Sequence, residues 1–70
     1  MGIRKLRNSI GKKIKNLRLA NGISQEKLAE YVNMSREHIS CIERGKNLPN
    51  VETLYYIAEH FKISIKEFFD

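Results

Sequence analysis

The sequence predicts an all-α domain, a compact body of five short helices, and three observations carry that expectation. First, one local phrase occurs four times: an apolar residue, a Ser or Asn, three residues of any kind, then a second apolar residue. It reads Ile23-Ser24…Leu28, Met34-Ser35…Ile39, Pro49-Asn50…Leu54 and Ile63-Ser64…Phe68. The Ser or Asn oxygen accepts from unpaired amides of a helix first turn, and the flanking apolar pair staples the entering chain. Second, Gly22, Asn33 and Gly45 follow the periodic segments, and each suits the left-handed conformation that closes a helix. Third, 70 residues that are 41% hydrophobic and 30% charged, with one proline, make one small globular domain.

The elements follow in order. A first helix over about 9–20 places Ile10, Ile14 and Leu17 on one face. Ahead of it, residues 1–8 form either a basic N-terminal arm or an extension of that helix through Ile3 and Leu6, leaving 9–70 as the domain proper. The second helix, about 25–32, presents Leu28, Ala29 and Val32; the third, about 36–44, presents Ile39 and Ile42. The fourth, about 51–61, presents Leu54, Ile57, Ala58 and Phe61. A last helix over 65–69 carries Phe68, and Glu67 stands three residues after Ser64, as a capping box requires. None of these helices buries a face alone, so they pack on one another.

Charge narrows the class of partner. The net charge is +5, but residues 1–20 hold seven Lys and Arg with no acid, while residues 47–70 hold two Lys against four acids. That asymmetry points to an anionic partner, nucleic acid or a membrane surface. A single cysteine, Cys41, forms no intrachain disulfide, and a reducing cytoplasm is the expected setting. His38 and Cys41 lie three apart without a second pair, so no metal is expected. No apolar run nears the roughly 18 residues of a membrane span, and no signal-peptide pattern begins the chain. No acid–base or nucleophile constellation is present, so the expectation is not an enzyme, with no cofactor and no small-molecule ligand.

Between the second and third helices there is room only for Asn33-Met34-Ser35, which forces a steep crossing, the geometry of a helix-turn-helix. The residues here resemble a known family. Ser24-Gln25-Glu26-Lys27-Leu28-Ala29-Glu30, then Ser35-Arg36, Ile39-Ser40, Ile42-Glu43-Arg44-Gly45-Lys46 and Pro49 are similar to the Cro/phage-repressor (XRE-type, lambda-repressor-like) helix-turn-helix domain. The similarity runs from about Ile10 to Phe69. It implies a five-helix, cytoplasmic, bacterial or phage-encoded DNA-binding domain with the helix-turn-helix at helices 2 and 3, usually a dimer.

A helical wheel separates the faces of the third helix. With Ile39 at zero and 100° per residue, Ile42 and Glu43 fall on the inward side, and Glu37, Cys41 and Arg44 fall opposite. Arg36 is at the N-terminal tip, the end that family members push deepest into the groove. The expected base contacts of a recognition helix over about 35–44 are therefore Arg36, Glu37, Ser40 and Cys41. Arg36 has the planar fork that bridges guanine O6 and N7, worth about 1–3 kcal/mol of discrimination. Glu37 accepts from cytosine N4 or repels wrong registers; Cys41 suits a thymine methyl. Phosphate contacts are expected from the helix N-termini and the exit loop: Gln25, Ser35, Arg44, Lys46 and Asn47. For Gln25, Arg44, Lys46 and Asn47 the resemblance implies this role, and it implies an interior ion pair between Arg18 and Glu43.

Tyr55, Tyr56, Phe68 and Phe69 crowd the C-terminal region. They are the expected two-fold interface of a homodimer, setting two recognition helices about 34 Å apart. The function expected is a sequence-specific regulator of transcription binding double-stranded DNA at a pseudo-palindromic operator. Repressor and activator stay equally open, and Glu26 with Glu30 is the candidate contact to RNA polymerase. The alternative is a protein-interaction adaptor or antitoxin-like module with secondary DNA binding, for which a basic first twenty residues has no use. A membrane-binding helix over residues 3–17 is disfavoured, because folding consumes the same apolar stripe.

Overall fold

Local capping builds most of the molecule. In the computed structural model, which describes residues 2–70, Ser24, Ser35 and Asn50 accept from the amides of Lys27 (3.0 Å), His38 (3.1 Å) and Thr53 (2.8 Å). They start α2 (Gln25–Tyr31), α3 (Arg36–Glu43) and α4 (Val51–Phe61). The first helix, α1, spans Ile3–Ala20, so residues 3–8 form the helix extension, one of the two alternatives for that segment. Leu6 continues the stripe of Ile10 and Ile14 and packs against the core, which is why the helix begins early. Met1 lies outside the described residues.

The fifth element departs from expectation. Residues Ile65–Phe69 form a 3₁₀ turn, so the described chain has four α-helices and one 3₁₀ turn. Ser64 accepts from the Lys66 amide two residues on (3.4 Å), and the Glu67 amide bonds the Ser64 carbonyl (3.0 Å). The capping box with Glu67 is absent because five residues cannot complete an α-helical ladder, and the tighter i→i+3 pattern serves a segment this short. The same turn carries Phe68 inward to 1% exposure. Phe68 is therefore a core residue and is removed from the expected dimer surface.

Helix exits share one geometry. Gly22, Asn33, Gly45 and Lys62 all have φ between 58° and 77°, and the amide of the next residue reaches back five positions. Those bonds are Ile23 to Arg18, Met34 to Ala29, Lys46 to Cys41 and Ile63 to Ala58, at 2.8–3.2 Å, the Schellman pattern. Gly45 is well matched to its position; Lys62 carries the strain of a side chain in the same conformation, a feature the sequence did not signal.

Ten apolar residues close the core: Ile10, Ile14, Leu28, Ala29, Ile39, Ile42, Leu54, Ile57, Ala58 and Phe68. Each fully buried Ile, Leu or Phe contributes about 1.5–3 kcal/mol. Leu17, Val32 and Phe61, expected among them, are half-buried around the edge. α3 packs against both α1 and α2, and the 3₁₀ turn bridges α1 and α4. A Cβ on Gly11 would overlap the Ile42 carbonyl oxygen, so this glycine sets how closely α1 approaches α3. Lys13 Nζ ties the 3₁₀ turn to α1 by donating to the carbonyls of Glu67 (2.8 Å) and Asp70 (2.6 Å). Among the described residues no helix is long and apolar enough to cross a membrane.

Candidate nucleic-acid interface

Burial of Ile39 and Ile42 fixes the rotation of α3 about its axis. The opposite face then holds Glu37, Cys41 and Arg44, with Ser40 on its flank and Arg36 at the N-terminal tip; Arg36, Glu37 and Arg44 are exposed and Ser40 and Cys41 half-exposed. The four residues expected to meet base edges thus share one accessible surface. Ser35, at the N-cap, uses its hydroxyl oxygen on the His38 amide and keeps its hydroxyl hydrogen to donate.

A polar network braces that surface from behind. Arg18 Nε donates to Glu43 Oε2 at 2.7 Å and Arg18 Nη2 to Glu43 Oε1 at 3.1 Å, a bidentate pair whose side chains are 10% and 2% exposed. Arg18 Nη1 also donates to the Ile23 carbonyl (2.9 Å), joining α3 to the α1–α2 turn. Gln25 then extends the network outward: its Nε2 donates to Glu43 Oε1 (3.1 Å), and its Oε1 accepts from Arg36 Nη1 (3.3 Å). Gln25 and Arg36, expected in separate roles, are therefore linked side chain to side chain. The Arg36 bond is long and exposed, so turning the guanidinium toward another acceptor costs little. One Nε2 hydrogen of Gln25 stays free to donate.

The exit of α3 is built differently from the others. After α1, α2 and α4 the residue that makes the five-back bond is Ile23, Met34 or Ile63, each packed on the core. After α3 it is Lys46, exposed beside exposed Asn47. A cation stands where the fold elsewhere spends an apolar residue. Arg44, the C-cap of α3, folds back along the helix, donating to the Ser40 carbonyl (3.3 Å) and to Cys41 Sγ (3.6 Å). It therefore lies beside Cys41 instead of reaching away with Lys46.

Sequence reasoning passed over Gly11 and Asn8. The Asn8 side chain lies against Gly45, and Gly11 against the carbonyls of Ile42 and Glu43, so the first half of α1 adjoins the exit of α3. The available signal was a glycine inside a helical pattern, which costs about 1 kcal/mol relative to alanine and so needs a packing reason. Away from α3, Tyr55, Tyr56 and Phe69 are exposed, together with Leu48 and Val51, the last at 70%. The Tyr55 hydroxyl donates to Glu59 Oε2 (3.2 Å), and the adjacent carboxylate holds its pKa above the usual 10.0, keeping it a neutral phenol. Among the described residues no three His, Cys, Asp or Glu side chains gather closely enough to hold a metal ion.

Known proteins resemble this chain in sequence and in fold. The "Uncharacterized HTH-type transcriptional regulator" of Rickettsia conorii is 38% identical over 68 residues, 97% of this chain and 54% of that protein. The HTH-type transcriptional activator BcrR of Enterococcus faecalis is 42% identical over 55 residues, 79% of this chain and 27% of that protein. The chain thus spans about half the length of the first relative and about a quarter of the second. Among solved structures, the restriction-modification controller protein C.AhdI from Aeromonas hydrophila superposes with a TM-score of 0.82 at 27% identity, over 89% of this chain and 94% of that one. The controller protein C.Esp1396I bound to a 25 base pair operator site gives 0.77 at 34% identity, over 91% of this chain and 84% of that one. A helix-turn-helix family profile matches residues 14–68, from the core of α1 to the 3₁₀ turn, and the chain belongs to that family, the XRE-type helix-turn-helix proteins.

Proposed function

We propose that this chain is a sequence-specific DNA-binding regulator of transcription, with α3 lying in the major groove and a homodimer reading a pseudo-palindromic operator. The observation that carries the reading is the split of α3: Ile39 and Ile42 are fully buried, while Arg36, Glu37, Ser40 and Cys41 present a polar accessible face. A helix fits the groove of a duplex, and these side chains can address base edges there. Gln25, Ser35, Lys46 and Asn47 stand around that face to hold phosphates, and Arg44 borders it beside Cys41. The operator-bound state of C.Esp1396I, 34% identical and alike in fold, supports the same reading. Tyr55, Tyr56 and Phe69 supply the exposed apolar surface for a two-fold partner. Glu26 and Glu30, exposed on α2, are the surface offered to RNA polymerase.

The test is selection of bound duplexes from a randomised library, at low and at physiological salt. The expected result is an inverted repeat with half-sites about one helical turn apart. Salt-sensitive binding with no enriched sequence would reduce the protein to a charge-driven binder. No binding at physiological salt would replace DNA by a protein partner.

A further inference from the structure

We propose that the solvent-facing flank of the first three turns of α1 is a second phosphate-binding surface, with Arg4, Arg7 and Lys12 as its cations, continuing the contacts made at the exit of α3. This rests on the DNA-binding reading above and adds a surface to it. Residues 1–20 hold seven cations and no acid. Two are used within the fold: Arg18 on Glu43, and Lys13 on the carbonyls of Glu67 and Asp70. Among the described residues, Arg18–Glu43 is the ion pair formed, so Arg4, Arg7 and Lys12 meet no carboxylate within 4.0 Å. Like charges on one helix repel, and among the described residues no ion pair offsets that cost at Arg4, Arg7 and Lys12.

Position says where the external anion lies. Asn8 touches Gly45 at the exit of α3, beside exposed Lys46 and Asn47. Arg4 and Lys12 are one turn either side of Asn8, on the same face, and span about 12 Å along the axis. Arg7 sits half-buried beside them, its Nε shielded from solvent, and its terminal guanidinium nitrogens are the part that meets an anion. A membrane surface fits less well, because Ile10 and Ile14, which such a helix would insert, are already 0% exposed.

The experiment compares the full chain with the Arg4→Gln/Arg7→Gln/Lys12→Gln variant on the selected duplex and on random duplex, from 50 to 200 mM salt. Circular dichroism verifies the fold. Losing three phosphate contacts should lower the salt slope by about 2.7, so the parent loses about 40-fold more affinity than the variant over that range. Affinity should fall by the same factor on both duplexes, with the enriched sequence unchanged. The Lys62→Gln/Lys66→Gln variant, altered on the C-terminal segment, should keep the parental slope. An unchanged slope in the triple variant, a changed enriched sequence, or an equal loss per charge in the C-terminal variant would each overturn the proposal. If the parent itself binds no duplex, or binds phosphatidylglycerol vesicles in its place, the DNA-binding reading falls first, and the parent alone reveals it.

Discussion

Replacing Arg18 by Met leaves the Glu43 carboxylate, 2% exposed, with no countercharge and one remaining side-chain hydrogen bond, from Gln25. Arg18 supplies two of the three side-chain bonds to that carboxylate, at 2.7 and 3.1 Å, and a third of its own to the Ile23 carbonyl. Breaking a buried pair from one side costs about 3–5 kcal/mol, because the stranded charge stays desolvated. A domain of this size holds about 3.5–10 kcal/mol in all. The single change should therefore lower Tm by about 12–40 °C, near the limit of folding. Arg18→Met/Glu43→Leu strands no charge and should recover most of the loss, since apolar replacement of both partners is often neutral or better. Urea unfolding followed by far-UV circular dichroism at pH 7, run as a double-mutant cycle, measures both. A single variant costing under about 1 kcal/mol, the range of exposed pairs, would refute the account of a desolvated strut. So would a double variant no more stable than the single one.

Three further outcomes follow from the same geometry. Gly11→Ala pushes a methyl into the Ile42 carbonyl and should cost about 1–3 kcal/mol in a urea melt, while weakening specific duplex binding by displacing α3. Arg36→Ala should relax base preference with a modest loss of affinity, whereas Lys46→Ala should weaken all duplexes about equally; fluorescence anisotropy on specific and random duplexes separates them. Val51→Lys/Tyr55→Glu places charge on the exposed apolar face of α4 and should give a monomer in sedimentation equilibrium, with the helical spectrum unchanged.

The starts of α2, α3 and α4, and the turns that close α1, α2 and α3, were legible in the linear chain. Ser24, Ser35 and Asn50 bond an amide three residues away, and Gly22, Asn33 and Gly45 close a turn of adjacent residues. Such interactions are settled within a few residues, so a linear reading reaches them. The outward face of α3 was legible for the same reason, since helical period alone turns Glu37 and Cys41 away from Ile39 and Ile42, puts Ser40 on the flank and leaves Arg36 at the exposed N-terminal tip. The remainder depends on residues far apart in the chain. Gln25 links Glu43 to Arg36 across separations of 18 and 11 residues, and no local pattern announces that the three side chains meet. Phe68 read from the sequence both as the apolar partner of Ile63 and as a dimer-surface aromatic; the 3₁₀ turn, held between α1 and α4, carries it into the core. The need for glycine at position 11 likewise follows from α3 lying against α1. Capping is a contest between a residue and its neighbours; packing depends on which surfaces the finished fold brings within van der Waals reach.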